Sequence, residues 1–376
     1  MKLRIFITVS LLYFTFSSHA QSVFIPLSNQ QEQVFQRELN HVGNGIHTSI
    51  KPFMRRDVTD AYSFLQDTLQ PEDRAEYDYG TYYDSLVLVP VNPNKKFNHT
   101  FTGRKIFSEH LLQVEGRDYR IYLDPVFEFA AGLDQGSDSS FNYNTRGVWV
   151  NGSVGKRFGY NATFYENLSL FPTYLDSAVR DTRVVPGQGR VKRFGSSNFD
   201  YAFATGSINY QLNRHFTFEF GQDKNFIGDG YRSLLLSDNA FHYPYVKIVT
   251  DIWKIRYMNL FTEMRDLTRI DNNDEAPFLR KYTSIHYLDV NIGKHASVGI
   301  FEAVVWHADS LTGARGFDLG YMNPFVFLRP VEFSIGSPDN VLLGLNAKIS
   351  LNSKNLLYGQ LMLDEFLLAN VKSGKG

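Results

Sequence analysis

The sequence predicts an all-β protein, an antiparallel transmembrane β-barrel of the outer-membrane type with a small N-terminal helical region. Three observations predict it. Side chains alternate with period two from about residue 81 onward. Short and long connections take turns along the same stretch. The 376 residues include 32 Phe and 22 Tyr and are only 20% charged, yet no run of about 20 apolar residues offers a membrane helix.

Residues 1–20 read as a secretory signal. Lys2 and Arg4 form its basic end, Ile5 to Phe16 its apolar centre, and Ser18-His-Ala20 a small-residue cleavage site, so the expected location is the outer membrane after cleavage following Ala20. The chain has no cysteine, which excludes a lipoprotein signal, disulfides and thiolate metal sites. Residues 21–80 read as a periplasmic helical region. Gln30–Leu39 and Phe53–Leu69 carry apolar residues at helical spacing (Val58, Ala61, Tyr62, Leu65, Leu69), and Pro71 ends the pattern.

Residues 81–376 read as the barrel. Leu343, Leu345, Ala347, Ile349 and Leu351 alternate with Gly344, Asn346, Lys348 and Ser350, and Trp253, Ile255 and Tyr257 alternate with Lys254 and Arg256. Tight turns are expected near Glu115-Gly116, Gly155-Lys156, Leu212-Asn213-Arg214, Asp251, Gly293-Lys294 and Asn352-Ser353. Long loops are expected near 133–142, 170–198, 225–243, 265–280 and 308–340. About thirteen strands result, counting one at Ser85–Val91. That odd number, with the polar tail Lys372 to Gly376, predicts a barrel incomplete at its C-terminus.

The stretch Phe216 to Lys247, FTFEFGQDKNFIGDGYRSLLLSDNAFHYPYVK, carries the most distinctive wording. With it go His47-Thr-Ser-Ile-Lys51-Pro52, Tyr321-Met-Asn-Pro324, Arg329-Pro-Val-Glu332, Ser337-Pro-Asp-Asn340 through Gly344, Tyr358-Gly-Gln360 and Asp364-Glu-Phe366. In this ordered set, from about residue 47 to the end, the chain resembles the Wzi-type capsule-assembly family, in the Bacteroidetes branch that includes the gliding-motility protein RemB. The resemblance implies an outer-membrane barrel with a helical periplasmic part, holding surface polysaccharide by its outward face. The barrels of that family are larger and end in a terminal aromatic strand, which this sequence lacks.

Catalytic patterns are missing: no His-Glu-x-x-His, no P-loop and no Gly-x-Ser-x-Gly. His242, His286, His295 and His307 read as rim or lumen residues rather than ligands. Asp271-Asn-Asn-Asp274-Glu275 lacks the glycine and spacing of a calcium loop. Four Asn-x-Ser/Thr triplets, beginning at Asn98, Asn151, Asn161 and Asn167, read as polar strand positions. No enzyme, metal or cofactor is expected, although an outer-membrane hydrolase could still assemble Ser, His and Asp from distant strands; a net charge of −1 suggests no nucleic-acid partner.

Two loops remain as binding candidates. Arg180, Arg183, Arg190, Lys192 and Arg193, beside Asp176 and Asp181, make a basic loop suited to an acidic polysaccharide or a lipopolysaccharide phosphate, or else a solvated loop. In loop 221–243, Gln222, Asp223, Asn225, Arg232, Asp238 and Asn239 offer donors and acceptors, and Phe226, Tyr231 and Tyr243 flat apolar faces. Two uses of it stand open: glycan binding, or bracing of the lumen. Arg329 and Glu332 read as an internal ion pair. The expected role is a non-enzymatic barrel that binds or organises capsular or surface polysaccharide. Its partners would be outer-membrane lipid, that glycan and, in a second reading, the proteins of a gliding or adhesion apparatus. A passive diffusion channel is a third reading, disfavoured by the large loops and the helical region.

Overall fold

The computed structural model describes residues 45–54, 56–57, 111–134, 137, 139–155, 157–266, 278–310, 313–325, 339–352 and 355–364. The signal expected at 1–20, most of the expected helical region, the strand expected at Ser85–Val91, the Asp271–Glu275 cluster, Arg329 with Glu332, and the tail lie outside these residues.

One antiparallel sheet dominates. Its long path runs β1 (Leu112–Glu115), β2 (Tyr119–Asp134), β3 (Ser139–Val154), β4 (Phe158–Leu170), β5 (Asn198–Gln211), β6 (Phe216–Asp223), β7 (Tyr243–Ile252), β8 (Ile255–Asp266), β9 (Leu279–Ile292), β10 (Ala296–His307), β11 (Asn340–Asn352) and β12 (Asn355–Asp364). Each strand pairs with the next in sequence, and the short strand Lys192–Phe194 pairs with β5. Among the described residues β1 and β12 are the two edges and do not pair with each other.

The tight turns follow from local chemistry. Gly155 (φ 59°) and Gly293 (φ 72°) take left-handed conformations that suit glycine. The Asn213 carboxamide accepts from the His215 and Phe216 amides at 2.8 and 2.9 Å, and Asn352 does the same for Asn355 at 2.9 Å. At the other end the connections are long, with one exception. The loop expected at 133–142 shrinks to residues 135–138, because β2 and β3 stay in register out to Asp134 and Ser139.

The polarity of the wall is inverted relative to a water-soluble sheet. Phe216, Phe218 and Phe220 on β6, Ile208 and Tyr210 on β5, Val246 on β7, Val298 and Ile300 on β10, Leu345 and Ile349 on β11, and Leu357, Leu361 and Leu363 on β12 are exposed. On the opposite face Asn161, Ser207, Asn209, Glu219, Lys247, Thr262, Thr283, Asp289 and Asn346 are buried. Soluble folds put these classes the other way round.

A plug fills the inner face of the C-terminal half. Ile50–Lys51 pairs with Phe226–Ile227, so a piece of the N-terminal region and a piece of loop 224–242 form a small ribbon of their own. Ile50, Met54, Ile227 and Leu235 pack with Tyr245 and Val249 of β7, Met258 and Leu260 of β8, Ile285 and Tyr287 of β9, and Phe301 and Ala303 of β10, with Leu342 and Met362 alongside. Strands β7 through β12 all reach one cluster, so the sheet curls around it.

A strap covers the outer face instead. After β10 the chain returns along the outside of β8–β10, where Phe317 and Tyr321 pack on Tyr282, Val304 and Trp306. The Arg315 guanidinium grips both Asp339 oxygens at 2.6 and 2.9 Å, which ties together the two ends of the connection from β10 to β11. Tyr321 also donates to Asp339 at 2.6 Å. No described helix is long and apolar enough to cross a membrane, which leaves crossing by strands untouched.

Candidate functional site

Loop 224–242 is built mainly as a brace. Thr48 donates to Asp229 at 2.5 Å, the Asn346 amide donates to the other Asp229 oxygen at 2.7 Å, and the Lys348 ammonium stands 3.3 Å away. His47 meets Asp289 at 2.5 Å. Below them Arg256 joins Asp57 and Asp251, each at 2.6 Å, and Arg56 reaches the same Asp251. Gly228 (φ 148°) lets the backbone pass Gln360, because a Cβ there would stand 2.4 Å from its amide nitrogen.

The eight residues singled out in this loop do not form one site. Gln222 lies in the exposed outer row with Phe220, whereas Asp223 points inward. Asn225 and Tyr243 are buried against each other, with the Asn225 backbone N–H donating to the tyrosine oxygen at 3.0 Å and Lys247 donating to Asn225 Oδ1 at 2.9 Å. Tyr231 and Arg232 are exposed side by side, the guanidinium 4.7 Å from the ring centre. Asp238 is half-buried and Asn239 exposed, and a Cβ at Gly187 would lie 3.3 Å from Asn239 Oδ1. Asn225 and Tyr243 thus lie buried and turned into the fold, where the Asn225 carboxamide oxygen and the tyrosine hydroxyl bond to neighbouring residues.

The basic loop makes a pocket. Pro172 opens the helix α1 (Thr173–Thr182), with Asp176 in its first turn and Arg180 in its last, each complementing the helix dipole. Arg180 donates to both Asp176 oxygens at 2.6 and 3.0 Å, and these hydrogen bonds to Asp176 raise the Arg180 pKa above its ordinary value. Val179 is the buried anchor, packed with Phe171, Val185, Val191, Phe199 and Tyr201. Arg183 ends the helix in the left-handed conformation (φ 57°), its amide donating to Val179 at 2.8 Å. That conformation is uncommon for arginine and aims the chain back into a hairpin of Val184–Val185 with Gly189–Arg190. Between helix, hairpin and β5 lies a cavity of about 520 Å³, lined by Arg180, Arg183, Arg190, Lys192 and Arg193 over Val179, Val191 and Phe199.

The two loops touch. Lys224 donates to the Gly187 carbonyl, and His242 stacks on Phe203 with ring centres 4.7 Å apart. Burial, and then the Lys224 charge, push the His242 pKa down to about 4, so the ring is neutral at pH 7. The brace thus buttresses the pocket hairpin.

Sequence reasoning missed Phe194 and Tyr174, exposed aromatics on the strand and helix that carry the basic residues. For Phe194 the adjacent Lys192 and Arg193 were the available signal. Of the histidines, His295 and His307 are exposed, but His286 is fully buried under the strap on the outer face, neither rim nor lumen. Among the described residues no three His, Asp or Glu are grouped to hold a metal ion. No protein-family model and no curated protein matches the sequence.

Proposed function

We propose that this chain forms the wall of an outer-membrane β-barrel and that its basic pocket binds an anionic surface polysaccharide. Apolar side chains facing outward and polar ones inward are what a strand-built membrane wall requires. Connections of 27 and 19 residues (171–197 and 224–242) at one end of the sheet, against turns of two to four residues at the other, agree with long outer loops and short periplasmic turns. The observation that carries the binding role is the pocket: five cations converge on one cavity in a chain whose net charge is −1.

Arginine forks match carboxylates and phosphates in two-pronged geometry, and aromatic faces suit the C–H faces of sugars. A uronic-acid-bearing glycan offers both. The plug fills much of the inner face, which disfavours the diffusion-channel reading. Cells lacking the protein, complemented with wild type or with an Arg183→Ala/Arg190→Ala variant, supply the test. Wild type is expected to restore retention of acidic polysaccharide at the surface. The variant is expected to restore barrel assembly without retention. Full retention by a correctly assembled variant would refute the role of the pocket.

A further inference from the structure

The outer face of β8–β10 carries a row that a lipid-facing wall does not need. Asn259 on β8, His286 on β9 and Glu302 on β10 are direct cross-strand neighbours, all pointing outward and all at most 3% exposed. Ser284, two residues from His286 on the same face, is fully buried. Its Oγ lies 3.4 Å from His286 Nε2, and His286 Nδ1 lies 2.9 Å from the Tyr257 hydroxyl. Asn259 Oδ1 is buried with no hydrogen-bond partner among the described residues.

The strap holds this group silent. Ser284 donates to the Tyr321 carbonyl at 2.7 Å. The proton a nucleophilic serine must give to its base is therefore held by the strap. The outer side of the strap is apolar: Leu319, Met322 and Phe325 are exposed. One row above Ser284, Glu263 stands opposite Tyr282, and Arg265 and Arg280 lie 3.5 and 4.0 Å from the Glu263 carboxylate. Below, Leu288, Val290 and Ile292 continue the same outer row of β9. Ser284 thus sits where an apolar wall meets a charged band, the level of the ester carbonyls in a lipid monolayer.

We propose that Ser284 and His286 are the nucleophile and base of a strap-gated hydrolase site for the acyl esters of membrane lipids. This rests on the outer-membrane reading. Tyr257 holds the imidazole, as the third member of such triads does. When the strap lifts, Ser284 Oγ attacks the ester carbonyl carbon and its proton passes to His286 Nε2. The tetrahedral intermediate collapses, and the departing glycerol oxygen takes that proton, leaving the acyl group on Ser284. Water then adds to the acyl carbon, giving one proton to Nε2. Collapse releases the fatty acid, and the proton returns to Ser284 Oγ.

The test uses the full chain purified in detergent, with a fluorophosphonate probe that modifies activated serines, and then with phosphatidylethanolamine in mixed micelles. Arg315→Gln loosens the strap by breaking its grip on Asp339, and Asp339→Asn is a second route should the first variant misfold. A strap-loosened variant, confirmed by faster proteolysis between residues 315 and 325, should form the Ser284 adduct at least tenfold faster than wild type and should release fatty acid. Ser284→Ala in that background should do neither, and Tyr257→Phe should slow labelling and shift its pH profile. A loosened strap with no Ser284 adduct overturns the proposal. An adduct without fatty-acid release overturns the lipid assignment. Labelling with the soluble probe is read without any bilayer, so a chain that fails to fractionate with membranes would count against the barrel separately.

Discussion

Glu219 on β6 and Lys247 on β7 face each other across one register position and form an ion pair in which neither side chain is more than 2% exposed. The contact lacks hydrogen-bond alignment at Glu219 Oε2, and Lys247 spends its better-aligned bond on Asn225. The pair ties the wall to the root of loop 224–242. Breaking it by Lys247→Met leaves a carboxylate buried without a countercharge and should cost about 3–5 kcal/mol. Adding Glu219→Gln should recover much of that loss. Denaturant unfolding of the two single variants and the double variant measures the coupling, and additive effects would mean that the pair does not hold the loop.

The pocket predicts a charge-dependent interaction. A charge-assisted hydrogen bond contributes about 1.5–3 kcal/mol, so Arg190→Ala should weaken binding of an acidic polysaccharide by roughly tenfold or more. Raising the salt concentration should weaken wild-type binding more steeply than that of the variant. Titration at two salt concentrations checks both.

Acid should loosen the contact between the two loops. The folded His242 pKa lies near 4, below its unfolded value of about 6.5, so the unfolded chain binds more protons between those limits. Stability from this residue is fully present above about pH 6.5 and is lost as pH falls toward 4. The groups facing the ring are Lys224, which opposes its protonation, and Asp223, whose carboxylate oxygen at 3.9 Å favours it. Asp57 behaves differently. Burial alone, the largest single influence, would raise its pKa, but Arg256, Arg56 and His47 together hold it below the ordinary carboxylate value, so its contribution survives until the pH falls through that depressed pKa. Hydrogen exchange should therefore show loop 224–242 opening at pH 5 while residues 45–57 stay protected. Equal protection at pH 5 and pH 7 would contradict the His242 assignment.

Two glycines should separate strain from collision. Gly155→Ala places a side chain in open space at φ 59° and should cost about 1 kcal/mol from backbone strain alone. Gly228→Ala also pushes Gln360 Nε2 away from Ile227, Ser233 and Asn346, to which it donates, and should cost more. Thermal unfolding of the two variants compares them directly.

The wall was legible because its signals are local. Phe216, Phe218 and Phe220 mark a face by spacing alone, and Asn213 and Gly293 mark turns by their own chemistry. The basic pocket was half legible: five cations within 14 residues give a charged loop, but only the helix end at Arg183 folds them around a cavity. Nothing local says that Asn225 and Tyr243 point inward, because the ribbon that carries this loop pairs Ile227 with Ile50, far away in sequence, and Ile50 shares a core cluster with Tyr243. His286 was misplaced for the same reason. A polar residue in an apolar row looks like a lumen position until a strap some 35 residues downstream covers it.

The most direct test of the central claim is equilibrium binding of detergent-purified, heat-modifiable protein to a polyuronate such as alginate. Wild type is set against a variant with Arg183, Arg190 and Arg193 all changed to Ala. Wild type is expected to bind in a salt-sensitive manner and the variant not measurably, with the same heat-modifiable mobility for both. Equal binding by the two folded proteins, or none by wild type at low salt, would contradict it.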